Sequence, residues 1–555
     1  MRAPRSWIAE FVDLPSTISD AEIVAGLERV GFEVEETIIQ GADLSGPLVV
    51  GKVIEIEELK EQKKPIRYVA LDCGEKELRY VICGAQNFRV GDLVVVSLPG
   101  AVLPGGFAIS ARQTYGKISN GMICSARELG LGEDHSGIIV LPAASALPGA
   151  DAISLLEIND TIFDVSVNPD RGYALSIRGI AREVAASLKL AFSDPIDALK
   201  TRDQSGSGNA TPAKIVEGAS LMYLRTLEGY RPDSDVPLWM RRRIEKAGMR
   251  SISLAVDVTN YVMLELGQPL HAFDADAING TLTIRRAGMA QKFTTLDGQE
   301  RMLHPDDLVV ADDKNVLALA GTMGGLESEI SEKTTRISVE AVRFDPLSIA
   351  RNSRRHNLST EASRRFERAV DVGLARHASL RAAELLLEYG GATYVGTATD
   401  GLEQAMPKID VEPAYFARRI GMDIRQDVAV SMLELAGCTV STSGDAMSVT
   451  PPTWRSDITS PADLSEEVAR YVGYEQIPSV LPARTPGAQL TPDQKRRRVI
   501  VHSLVAQGYT EVLTFPFVAQ GTIEQLGFVG ARAASYRLAN PMSEETPCLR
   551  PHILP

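Results

Sequence analysis

The stretch from residue 45 to 150 restricts the fold most. Short runs rich in Val and Ile follow one another there: LVVGKVIEIEEL, RYVALDCG, LRYVICGAQ and DLVVVSLPGAVLP. Gly, Pro and Asp separate them, which is the punctuation of an all-β barrel. The flanks have a different character. In residues 1–40, Ser19, Asp20, Ala21 and Glu22 open a helix over 23–30 that stops at Gly31, as expected of a small α/β unit. Residues 151–190, with FDVSVNPDRGYALSIRGIAREVAASL, return to that character. The barrel, 41–150, therefore reads as an insertion into a discontinuous unit made of 1–40 and 151–200.

The remaining chain needs further cores, because 555 residues exceed what one core sustains. KTRDQSGSGNATP, Lys200 to Pro212, has the polar, Gly/Ser-rich composition of a linker. An α/β block follows over 213–390. Residues 400–477 carry helices, a short β ribbon and many acids. The Pro-containing connector LPARTPGAQLTP leads to a helix and strand in 490–555. The expected class is α+β multidomain.

Charge and cysteine content narrow the function. The net charge of −14 argues against broad nonspecific binding of nucleic acid, though a local basic face can still dock RNA. Five cysteines with no C-x-x-C pair read as reduced thiols of a cytoplasmic protein. The amino terminus lacks the apolar core of a signal peptide, and no run reaches membrane-spanning length.

Two places concentrate chemistry. PPTWRSDITSPADLSEEVARYVGYEQIP holds Asp457, Asp463, Glu466 and Glu467. With Ser460 as N-cap and Pro461 first in the helix, the last three acids share one face at i, i+3 and i+4. Hard oxygen ligands of this kind suit Mg2+. The other reading is a capped helix start, with Asp463 completing a capping box. Within 213–390 lie DVTNY followed by LGQPLHAFD, AGTMGG followed by Glu340 in ISVEAVRF, and STEASRRFER. These are either a polar pocket, with small residues admitting a ligand to the backbone and His, Glu and Thr orienting substrate and water, or ordinary turns and a satisfied histidine. Six arginines between Arg351 and Arg368 read as an exposed helix face paired with Glu361 and Glu367.

These motifs, in this order, resemble the bacterial phenylalanine–tRNA ligase beta subunit family. Trp454-Arg455-Ser456-Asp457, Asp463 to Arg470 and Gly473 to Pro478 are similar to its acidic module. LELGQPLHAFD, AGTMGG and TEASRRFERAVD are similar to its editing domain, and the barrel with GMICSARELGLGEDHSGIIVLP resembles its tRNA-binding OB fold. The resemblance implies a winged-helix-like acidic module and, over 490–555, a partial class II synthetase-like domain that ends early. It implies ATP-dependent attachment of phenylalanine to its tRNA by an α2β2 assembly, with ATP bound mainly by the alpha subunit. It also implies hydrolysis of tyrosine wrongly attached to that tRNA. His271, Glu340 and Thr360 match the polar residues of the editing site, and Arg250, Gly324 and Ala362 its lining. Asp457, Asp463, Glu466 and Glu467 match carboxylates that bind Mg2+ near the alpha subunit. The chain departs from the family at Leu59 to Lys64, which replace a His-Pro turn, and at Ala369, where Gly is usual. The rival readings are a freestanding editing hydrolase and a noncatalytic tRNA-binding scaffold.

Overall fold

The computed structural model describes residues 1–59, 65–132, 136–143, 145–200, 208–444, 446–483, 487 and 489–553. The altered turn at 60–64, positions 201–207 of the polar linker and positions 484–486 and 488 of the connector lie outside the described residues. So do 133–135, inside GMICSARELGLGEDHSGIIVLP, and 554–555. The chain forms two compact units, Met1–Pro478 and Ser479–Pro555.

In the first unit an antiparallel sheet pairs Arg2–Pro4 and Glu33–Gln40 on either side of a central strand, Asp160–Ser166. The chain leaves this sheet at Gln40 and rejoins it 120 residues later, and the β-rich stretch fills that interval. Ser19 caps the helix Asp20–Arg29 reciprocally with Glu22, a capping box.

The β-rich stretch rolls Leu48–Glu58, Arg67–Asp72, Arg79–Cys83 and Leu93–Ser97 into one sheet, with Met122–Ile123 and Val140–Leu141 both on the last strand. It nearly closes: Asn120 N–H donates to the Tyr80 carbonyl at 2.8 Å and Ile82 N–H to Ser119 Oγ at 3.0 Å. Leu93 and Val95 face one core while Val94 and Val96 face another. Burial on both faces explains why this strand is a continuous apolar run rather than an alternating one.

The 213–390 block stacks two sheets, the first completed by a strand that follows the block in sequence. A four-stranded sheet runs Leu270–Asp274, Arg336–Phe344, Ala219–Glu228, Thr393–Gly401. A five-stranded sheet runs Ala213–Ile215, Leu282–Arg286, Leu308–Ala311, Val316–Leu319, Met323–Gly324. Met222, Leu224, Phe273 and Val342 of the first meet Leu282, Ile284, Leu308 and Val310 of the second. On the far side of the four-stranded sheet lie the helices Leu254–Leu266 and Ala375–Gly390. They share a continuous core with Trp7, Phe32, Phe163 and Ile180 of the amino-terminal sheet. Trp7 stacks on Tyr261 with ring centroids 5.1 Å apart.

The acidic stretch forms a sheet of Ile409–Val411, Ala446–Thr450 and Thr439–Ser443, packed by three helices around Phe416, Leu433, Ile458 and Leu464. The last of these helices, Pro461–Val472, carries the acidic motif. The second unit has the helix Pro492–Ala506, capped by Thr491 and Gln494, and a small sheet around Val518, Ile523, Ala533 and Cys548. No residue of that helix is buried.

Ala369 sits at φ +65°, in the left-handed region. A β-carbon there costs about 1–2 kcal/mol. Ala369→Gly is expected to stabilise the chain by about 0.5–1 kcal/mol after the greater unfolded-state entropy of glycine. The midpoint of thermal unfolding is the check, and a fall in that midpoint would show that the strain is relieved elsewhere.

Candidate functional site

His271 and Glu340 stand on neighbouring antiparallel strands as register partners, so their side chains leave the sheet on the same face. They enter a cavity of about 270 Å³ between the two sheets of the 213–390 block. Its wall is largely apolar, with Val310, Ala318, Leu319 and Phe366, and Asn260, Thr322 and Glu329 add polar groups.

Backbone chemistry shapes the opening. Gly321 adopts φ +60°, and a β-carbon there would press on Ile349 and Phe366 at 2.8–2.9 Å. A β-carbon on Gly324 would stand 2.5 Å from His271 Cε1 and 3.1 Å from Leu296 Cδ1. Glycine at 324 thus keeps the space beside the imidazole free. Ala362 and Phe366 reach the wall from the helix Glu361–Glu367.

The two titratable groups are desolvated in opposite senses. Burial pushes the Glu340 carboxyl up to about 8 and the His271 imidazole down to about 4. Both groups are therefore favoured neutral at pH 7, the acid as a hydrogen-bond donor and the imidazole as donor on one nitrogen and acceptor on the other. Glu340 Oε1 is buried with no hydrogen-bond partner among the described residues. A buried polar atom left unpaired costs about 1–3 kcal/mol, which a ligand supplying a complementary hydroxyl recovers. The His271 ring packs edge-on against Phe273, centroids 4.4 Å apart, which holds its plane.

His271, Glu340, Gly324 and Ala362 thus line one cavity. The other two expected residues stand differently. Thr360 is the N-cap of Glu361–Glu367 and is not among the wall residues. Its hydroxyl donates to the Thr322 carbonyl at 3.0 Å and accepts from Ser363 N–H at 3.1 Å, so its one proton is already engaged. Arg250 is exposed and also absent from the wall. Asn260 and Glu329 are wall residues to which the sequence motifs assign no role. Glu329 lies outside the quoted motifs. Asn260 lies within DVTNY, and its place on the buried helix Leu254–Leu266 is what turns it toward the cavity.

In the acidic segment the four carboxylates expected to share a cation are each engaged by protein donors. Among the described residues no three His, Cys, Asp or Glu side chains form a group able to hold a metal ion. Glu467 is fully buried and is claimed by arginines: Arg455 Nη1 and Nη2 at 2.5 and 2.7 Å, Arg470 Nη2 at 2.7 Å, and Arg171. Asp457 takes both its bonds from Arg455, at 3.0 and 2.7 Å. Asp463 Oδ2 accepts from the backbone N–H and the hydroxyl of both Thr459 and Ser460, closing a capping box. Glu466 accepts from the Tyr474 hydroxyl. Sequence spacing placed the acids on one helix face but carried no information on the arginines, two of which, Arg171 and Arg455, lie outside that helix. Bidentate guanidinium satisfies a buried carboxylate in the geometry a cation would otherwise need to provide. The donor set does not fit Mg2+.

Family comparison matches four stretches of the chain. Residues 48–151 match the putative tRNA-binding domain, 218–391 the B3/4 domain, 409–474 the tRNA synthetase B5 domain and 477–555 the phenylalanyl-tRNA synthetase beta chain CLM domain. That combination defines an aminoacyl-tRNA synthetase subunit. Phenylalanine–tRNA ligase beta subunits from Thermobifida fusca and Streptomyces avermitilis are 49% and 47% identical to the chain, covering all of it and 68% of their own length. The Corynebacterium glutamicum beta subunit is 44% identical over 97% of the chain and 66% of its own length. The chain belongs to the family of phenylalanine–tRNA ligase beta subunits. A beta subunit implies an alpha partner, and the chain carries the family's tRNA-binding and B3/4 domains. No helix among the described residues is long and apolar enough to cross a membrane.

Proposed function

We propose that the cavity of the 213–390 block hydrolyses tyrosine esterified to the phenylalanine tRNA, while the alpha partner of an α2β2 assembly performs the ATP-dependent synthesis. The unpaired, buried carboxyl of Glu340 carries this reading. An apolar pocket alone discriminates weakly between phenylalanine and its hydroxylated analogue, whereas a buried polar group awaiting a hydroxyl discriminates strongly. Glu340 supplies that group to the phenol. Neutral His271 orients a water toward the ester carbonyl. The water oxygen bonds to the carbonyl carbon, the bond to the tRNA 3′ oxygen breaks, and that oxygen takes up the proton that the water gives up. Gly324 and Ala362 keep the chamber open, and Thr360 holds the helix that carries Ala362.

In the OB-like near-barrel, Tyr68 and Tyr80 stack with centroids 5.4 Å apart, and Lys117 Nζ lies 4.8 Å above the Tyr68 ring. Lys117 also pairs with Glu57 at 2.9 Å, and the Tyr80 ring is exposed; an exposed aromatic suits stacking on an unpaired base, which supports tRNA contact on that face. ATP and Mg2+ belong in this reading to the synthetic reaction, and no step of it runs through the acidic segment. The winged-helix-like character of 400–477 and the partial class II character of 490–555 remain part of the same proposal.

Deacylation of tyrosyl-tRNA tests it. His271→Ala is expected to slow hydrolysis about tenfold through loss of water positioning. Unchanged deacylation in a variant lacking both His271 and Glu340 side chains would remove this cavity from the reaction.

A further inference from the structure

The six arginines between Arg351 and Arg368 do not act alike. Arg365 is buried, donating to the Leu175 carbonyl and to Glu361. Arg368 donates to the Val167 carbonyl at 2.8 Å, and Arg364 pairs with Glu361 at 2.9 Å. Arg355 pairs with the buried Asp307. Arg351 and Arg354 remain. Both are exposed, and no ion pair or side-chain hydrogen bond joins either to another described residue.

Their helix, Pro346–His356, buries Ser348, Ile349, Asn352 and Ser353 and turns Leu347, Arg351, Arg354 and Arg355 to solvent. Arg351 and Arg354 are three apart, so they stand side by side on that face. In a chain with a net charge of −14, two adjacent unpaired guanidinium groups make a local field opposite to the whole.

The helix also ends beside the cavity. Arg301 donates to the His356 carbonyl at 3.1 Å while pairing with Asp297 at 2.6 Å. Asp297 follows Leu296, a wall residue of the cavity. Four residues beyond His356, Thr360 bonds the carbonyl of Thr322, another wall residue.

We infer that Arg351 and Arg354 form a phosphate-binding face that holds the backbone of the tRNA whose 3′ end enters the neighbouring cavity. This rests on the hydrolytic reading above. Planar guanidinium donors bind phosphate oxygens bidentately and carry no base specificity, so the contact orients the strand without reading it.

The test is filter binding of uncharged phenylalanine tRNA to the full chain across a salt series. Arg351→Glu with Arg354→Glu is expected to raise Kd about tenfold. The slope of log Kd against log salt is expected to flatten by about 1.4, two contacts at roughly 0.7 each. Lysine at both positions should restore most of the affinity and the slope. In tyrosyl-tRNA deacylation KM should rise with Kd while kcat holds. Unchanged Kd and slope overturn the proposal. So does weaker binding with an unchanged slope, which marks a structural effect, or lost capture of the alpha partner with tRNA binding intact. If the salt-sensitive loss appears but wild-type chain hydrolyses no mischarged tRNA, the hydrolytic reading fails and the phosphate face stands.

Discussion

Glu467→Ala is expected to destabilise the chain by about 3–5 kcal/mol, because it leaves buried guanidinium groups without their carboxylate. Glu467 joins Arg455 to Arg470, and Arg470 continues to Glu183 at 2.7 Å in the helix Ile177–Leu188. Tyr173 donates to the same Glu183 at 2.5 Å, and Arg171 reaches Glu467. This network pins the helix Pro461–Val472 to the amino-terminal unit. The arginines around Glu467 hold its carboxyl well below the usual carboxylate range despite burial. A depressed folded-state value gives stability that is present above the unfolded value near 4.5 and lost as pH falls through the folded value. The wild-type chain should therefore lose this contribution in acid, and Glu467→Ala should lack that part of the acid dependence. Urea unfolding followed at pH 7 and at lower pH measures both. Chelation of divalent cations should leave the wild-type midpoint unchanged. A midpoint that falls on chelation, and no longer does so in Glu467→Ala, would restore the metal reading.

Glu340→Ala should lower the preference for tyrosyl over phenylalanyl ester by about a hundredfold or more, since the group that recognises the hydroxyl is gone. Rates of deacylation of the two charged tRNAs give the ratio directly. A retained preference would mean that another group reads the phenol. The carboxyl also leaves a mark on stability. Its folded-state value, about 8, exceeds the unfolded value of 4.5, so between these limits the native state binds the extra proton and stability falls as pH rises. His271, lowered from 6.5 to about 4, acts oppositely: between 4 and 6.5 stability rises with pH. The two contributions nearly cancel between 4.5 and 6.5. From 6.5 to 8 that of Glu340 remains, with a slope of at most about 1.4 kcal/mol per pH unit. Glu340→Gln should flatten that region relative to wild type. Equal slopes in the two proteins would place the carboxyl in a better-solvated site.

Much of this was present in local sequence. Val/Ile runs broken by Gly and Pro define the β-rich insertion, and Ser19 with Glu22 defines a helix start, because strand alternation and capping depend on residues a few positions apart. The cavity motifs are likewise compact: His271 and Glu340 each sit in a recognisable strand, and Gly324 in its turn. Their pairing is not local. Only the register of two strands, 69 residues apart in sequence, turns imidazole and carboxyl into one chamber and removes them from water. The same limit explains the acidic segment. Spacing along one helix grouped Asp463, Glu466 and Glu467, but their charge is balanced by Arg171 from another part of the chain and by Arg455 folded back from the preceding loop. Identical residue types at identical spacing bind a cation or an arginine according to which partner the fold brings. Sequence by itself determined the elements and the candidate chemistry. Tertiary structure decided which groups share a desolvated space, since burial and long-range Coulomb partners exist only once the chain has closed on itself.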